Sequence, residues 1–163
     1  MPDRSEKGWT LANCWLLALE ETARDFHGHN PRPICERGYE HVTVRWIQAL
    51  EEEFGITTAK AETMKEALEN YIESGVKAGF FNDSSQFELN QAGPHRLDIR
   101  VLECPYRKSC ERLIEDQVAV PDLTCARIGC FRAAAEVLAG IPLVYRVTAF
   151  RPDGCCEGTI ERR

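Results

Sequence analysis

The sequence has no apolar run approaching the ~18–20 residues that a membrane-spanning helix requires. Its opening, "MPDRSEKGW", lacks the basic-then-apolar order of a secretory signal. Basic residues are in deficit: 20 Lys and Arg stand against 26 Asp and Glu, for a net charge of −6, and they are dispersed rather than striped. That balance argues against nucleic acid as a main partner. No phosphate-binding or DNA-binding segment, internal repeat or low-complexity linker is visible. Histidine is scarce, with only His27, His29, His41 and His95. These absences predict a soluble, cytoplasmic protein with neither membrane nor nucleic acid as partner. The 163 residues form one expected domain, helical over about 1–80 and α+β over about 84–163.

Cysteine is abundant, with eight residues. In a reducing compartment, eight thiols favour metal or redox roles over a disulfide framework. Cys104, Cys110, Cys125 and Cys130 crowd into "ECPYRKSC" and "TCARIGC", and Cys155 and Cys156 are adjacent near the end.

The periodicity of the first half is helical. A first helix is expected from Thr10, as N-cap, to Phe26, with Ala12, Trp15, Leu16, Leu19, Ala23 and Phe26 inward. A second runs from Ile34 to Phe54 with Cys35, Tyr39, Val42, Trp46, Ala49 and Leu50 inward. A third runs from Ala61 to Ala78. Cys14 and Cys35 fall on helical stripes and read as core. So do Trp15, Trp46, Tyr71, Phe80 and Phe81.

The period then changes. In "HRLDIRVL", Leu97, Ile99 and Val101 alternate with Arg96, Asp98 and Arg100, as in a strand with one wet face. With "QFELN" it forms a hairpin. A short helix from Arg107 to Asp116, a helix from Thr124 to Leu138, and a closing hairpin of "PLVYRVTAF" and "EGTIER" follow. The expected fold is α+β: N-terminal helices packed on an antiparallel sheet of two hairpins with an intervening helix.

Zinc and iron–sulfur sites take four ligands converging from separate elements. Cys104 and Cys110 follow a strand, while Cys125 stands at a helix start. Cys125 and Cys130 lie ~140° apart around that helix axis, so Cys130 reads as packing. Strand alternation lets one of Cys155 and Cys156 face inward, and Cys156 is preferred. The expected metal ligands are Cys104, Cys110, Cys125 and Cys156, with Cys130 and Cys155 as lesser candidates. Cys125 is also the candidate nucleophile, because a helix N-terminus lowers a thiol pKa. The pair His27 and His29, in "HGHN", is a weak metal motif. His41 reads as a surface residue; His95 follows the turn "AGP", and nothing in the sequence places it at the cysteines.

Two resemblances follow from these residues. "TC" opening a helix, "IGCFRAAAEVLAG" and "IPLVYRVTAFRPDGCCEGTIER" resemble the 4-vinyl-reductase-type domain. That family is similar in fold to the Bet3 trafficking proteins. The resemblance implies a Bet3-like sensory module for a small apolar ligand, with zinc held partly by cysteines. Cys125 carries over directly and Cys156 with a shift. The set Cys104, Pro105, Tyr106, Cys125, Arg146, Thr148, Gly154 and Cys156 is similar to L-2-amino-thiazoline-4-carboxylate hydrolase-type proteins. This alternative implies a hydrolase of a small cyclic C–N or C–S substrate. The leading expectation is a ligand-binding or sensory module with a zinc or iron–sulfur site, acting as a homodimer or with a partner protein.

Overall fold

Helices occupy the first half of the chain, and a four-stranded antiparallel sheet is threaded through the second. The computed structural model describes residues 4–28 and 30–163. Helices α1 (Arg4–His27), α2 (Arg32–Glu52) and α3 (Met64–Lys77) come first. Hairpin β1 (Phe87–Gly93) and β2 (Arg96–Val101), α4 (Arg107–Glu115), α5 (Ala126–Ala139), and hairpin β3 (Leu143–Phe150) and β4 (Cys156–Arg162) follow. The strand order is β1-β2-β4-β3, so β2–β4 pairing joins the two hairpins into one sheet. The α+β expectation and its two hairpins stand. Among the described residues no helix is long and apolar enough to cross a membrane.

One sheet face is wet and the other is covered. Arg96, Asp98 and Arg100 pair with Glu161, Glu88 and Glu157 or with each other across the outer face. Leu97, Ile99, Val101, Leu143, Tyr145, Val147 and Ile160 point the other way and are buried. Alternation along each strand produces that division. Helix α5 lies against β3 and also packs on α2 and α3. Gly158 sets how closely α5 approaches. A Cβ there would meet the Arg146 carbonyl oxygen at 2.6 Å and Ile128 Cδ1 at 2.6 Å. The missing side chain seats the start of α5 on β4, two residues beyond Cys156.

Three helix boundaries differ from expectation for local chemical reasons. Helix α1 continues back to Arg4, and Thr10 is interior, its hydroxyl donating to the Glu6 carbonyl at 2.9 Å. Helix α3 starts at Met64 because Thr63 Oγ1 caps it, accepting from the Glu66 amide at 3.2 Å. Ala61 instead donates its amide to the Leu138 carbonyl. Helix α5 starts at Ala126, leaving Cys125 as the capping residue.

The inward face of α1 is also different. Trp15 and Phe26 are 73% and 79% exposed, and Cys14 is exposed, so none of these is core. Asn13, Leu16, Leu17, Glu20 and Ala23 face inward instead, a stripe shifted by one residue or ~100°. The shift arises because two inward positions are polar and contribute nothing to an apolar pattern. Asn13 Nδ2 donates to the Pro105 carbonyl, and Asn13 Oδ1 accepts from Ser109 Oγ at 2.7 Å. Glu20 is buried beside Tyr39 and Cys35, and desolvation raises its pKa. On α2, Thr43 replaces the expected Val42, which is 51% exposed. Cys35 is fully buried and Trp46 is partly buried, as their positions on the stripe predicted.

Candidate thiol centre

Sheet register brings the first two sulfurs together. Cys156, the first residue of β4, pairs with Val101, the last residue of β2. Cys104 follows Val101 in the turn leaving that strand, so the two cysteines start from neighbouring backbone. Cys110 lies on the buried face of α4, beside Ser109. The Asn13 hydrogen bonds to Pro105 and Ser109 hold this segment against α1. Cys125 closes the group from the N-terminal end of α5, where its carbonyl accepts the amide of Gly129 at 2.8 Å.

Cys125 is the electrostatic hub of the four, since its charge is felt by Cys104, Cys110 and Cys156, and that of Cys104 by Cys110 and Cys156. Cys110 donates a hydrogen bond to Cys125. The bond lowers the Cys125 pKa to about 7 and raises that of Cys110 well above its ordinary value. The amides of Ile128 and Arg127, and the Arg127 charge, also favour the Cys125 thiolate. Those amides act from beyond conventional capping distance. Burial pushes Cys104 up to about 11 and Cys156 to about 12. The centre therefore holds one sulfur poised to ionise among three that keep their protons. Among the described residues, no three His, Cys, Asp or Glu side chains are already spaced as metal ligands.

The other candidates lie elsewhere. Cys155 is buried, but its neighbour is Arg100 on the outer face of the sheet, opposite in sense to Cys156. Its sulfur donates to the Cys156 carbonyl at 3.7 Å. Cys130 is half-buried against Ala23, Cys35, Tyr39 and Ala126, where burial raises its pKa to about 11. His27, His41 and His95 are exposed. His29 lies outside the described residues, so the His27–His29 motif is not described as a pair. Every described cysteine is a free thiol.

Two parts of the centre escaped sequence reasoning. Asn13 was hidden by its place inside a helical pattern. Arg127 is 4% exposed, with its guanidinium among five aromatic rings. Its Cζ lies 4.7 Å from the Phe81 ring centre, 5.2 Å from Tyr106, 5.6 Å from Phe80, and 5.7 Å from Phe87 and Phe131. It also hydrogen-bonds Cys104. A charged residue in the otherwise apolar "CARIGCF" was the available signal. Cys104 is the half-buried member of the four, and it lines two surface clefts of about 550 and 280 Å³ on either side of Trp9.

No protein-family model matches the chain, and no curated protein matches it.

Proposed function

We propose that Cys104, Cys110, Cys125 and Cys156 form a thiolate site for a soft metal centre, zinc or an iron–sulfur cluster, in a small-ligand-binding or sensory module. The observation that carries this reading is the convergence of Cys104, Cys110 and Cys156, from a turn, a helix and a strand, on Cys125 at the start of α5, whose charge each of them feels. Isolated structural cysteines pack as small hydrophobes and have no reason to meet. Sulfur is the donor that both candidate groups prefer, and four is the number that both require. Arg127, and Arg107 near Cys156, supply positive charge that offsets several thiolates. Binding requires loss of the S–H protons and rotation of the side chains into ligand spacing. Bound zinc would fasten the strand, turn and helix start together, whereas a cluster would add one-electron chemistry.

The resemblance to 4-vinyl-reductase-type, Bet3-like domains agrees with this arrangement and supplies the sensory part of the reading. It also points to a cytoplasmic module that works as a homodimer or through a partner protein. Leu11 and Trp15 on α1, 60% and 73% exposed, support an interaction surface there. A second reading keeps Cys125 as the nucleophile of a hydrolase acting on a small C–N or C–S ring. Its readiness to ionise beside Arg127 favours that chemistry.

Elemental analysis and an absorption spectrum of anaerobically purified protein separate these readings. Stoichiometric zinc without colour, or iron with sulfide and a brown colour, supports the metal centre. Cys104→Ala and Cys125→Ala should each remove the metal. Retention of metal by both variants would sink the four-sulfur assignment. Metal-free protein with rapid alkylation of Cys125 alone would favour the nucleophile.

A further inference from the structure

A buried guanidinium normally has a carboxylate beside it, because an uncompensated charge is costly to desolvate. Arg132, five residues further along α5, obeys this rule: it is 1% exposed and pairs with Glu40 and Glu136. Arg127 does not. Among the described residues it has no ion pair with a carboxylate, and its buried Nε has no hydrogen-bond partner. The five surrounding rings stabilise the charge through their faces but accept no conventional hydrogen bond. Cys104 takes one N–H, and sulfur is a weak acceptor for a group with five donors.

Arg127 is also reachable. It forms part of the 280 Å³ cleft, together with Trp9, Phe80, Phe81, Asn82 and Cys104. Trp9 and Phe80 have ring centres 6.0 Å apart and touch each other, so together they form one aromatic side of the cleft beside Arg127. Glu103 stands at the exposed rim, where Gln86 Nε2 donates to it at 3.0 Å and water screens its charge.

The geometry points to this cleft as a binding site for a small flat oxyanion, an unsaturated or aromatic carboxylate whose head pairs with Arg127 and whose body lies against Trp9 and Phe80. A planar carboxylate matches a guanidinium fork in two parallel hydrogen bonds and supplies the acceptors that Arg127 lacks. A neutral ring would occupy the walls and leave the cation unpaired. A long aliphatic chain would outgrow a cleft of this size. The inference rests on the ligand-binding half of the proposed function and is independent of its metal.

The test uses the full chain after chelator treatment, so that a failed metal assignment cannot decide it. Benzoate, cinnamate and nicotinate are titrated by calorimetry against the neutral control benzamide. The ¹⁵Nε–Hε signal of Arg127 is followed by NMR in the unaltered protein. The expected result is one-to-one binding of at least one carboxylate, with a downfield shift of that signal and benzamide weaker by roughly tenfold or more. Arg127→Met should lose a similar factor, while Arg162→Met, in a separate cleft, should lose nothing. Equal binding of benzoate and benzamide overturns the proposal. So does an unmoved Arg127 signal, or no binding of any of the three carboxylates up to ~10 mM. If Arg127→Met fails to fold, the NMR shift and the benzamide comparison still decide the matter. A metal assay that fails while benzoate binds removes the metal reading alone.

Discussion

Helix α5 buries two arginines, one at its start and one near its middle, and treats them in opposite ways. Around Arg132 the charge is closed off by Glu40 and Glu136, and Glu136 also accepts the Leu143 amide at 2.7 Å. Around Arg127 there are aromatic rings, thiols and a cleft. The first arrangement pairs its charge within the fold, though Arg132 Nη2 is buried without a hydrogen-bond partner, and ties α5 to α2 and to the start of β3. The second leaves donors open, as a fold does where it keeps a site. Burial alone therefore does not distinguish a structural charge from one held for a ligand; the partners do.

The largest expected effect tests this contrast directly. Arg132→Met removes the cation from between two carboxylates and should cost about 3 kcal/mol in urea denaturation. Arg127→Met fills the same space between the rings and discards an unpaired charge, so it should stay within about 1 kcal/mol of the unaltered protein. Equal losses would mean that Arg127 is as structural as Arg132.

A smaller effect is expected at the seat of α5. Gly158→Ala places a Cβ against the Arg146 carbonyl and Ile128, and should destabilise by about 2 kcal/mol. Because Gly158 belongs to the strand that starts at Cys156 and faces the helix led by Cys125, the same change should weaken zinc retention in a chelator competition. An unchanged denaturation midpoint would show that α5 can lift without strain.

The smallest effect is a change in protonation. In metal-free protein, thiolate absorbance should rise in a step centred near pH 7, and Cys125→Ser should remove that step. Arg127→Met should move it to higher pH, because a cation that favours the thiolate is gone. The sign for stability follows from a folded pKa below the ordinary value of 9.0. The contribution of Cys125 is full above pH 9 and is lost as pH falls through about 7. A denaturation series between these limits should therefore show this share of stability growing with pH, and a flat series would contradict it.

Much of the architecture was readable in the chain because it depends on periodicity. Leu97, Ile99 and Val101 marked a strand with one wet face, and "AGP" ahead of it marked a turn that the structure confines to Pro94 and His95, with Ala92 and Gly93 ending β1. Cys156 could be preferred over Cys155 because alternate residues of a strand face opposite ways. The orientation of α1 was misread because Asn13 and Glu20 are buried polar residues, and hydrophobic patterning counts only apolar ones. Trp15 and Phe26 looked like core for the same reason. Their large apolar side chains fell on a stripe that the neighbouring polar contacts rotated outward.

Sequence by itself determined the α+β element order, the abundance of thiols and the placement of one of them at a helix start. Those are local properties, set by side-chain period and by turn residues within a few positions of one another. Tertiary structure alone decided that Cys104, Cys110, Cys125 and Cys156 share one electrostatic environment. It also left Arg127 without a carboxylate while giving Arg132 two. Strand register and the close seating of α5 on Gly158 produce the first outcome, and the packing of α2 on α5, which places Glu40 beside Arg132, contributes to the second. The cysteine grouping and the Arg132–Glu40 pair depend on residues far apart in the chain, which no local pattern specifies, whereas Arg132–Glu136 is an i,i+4 pair within α5.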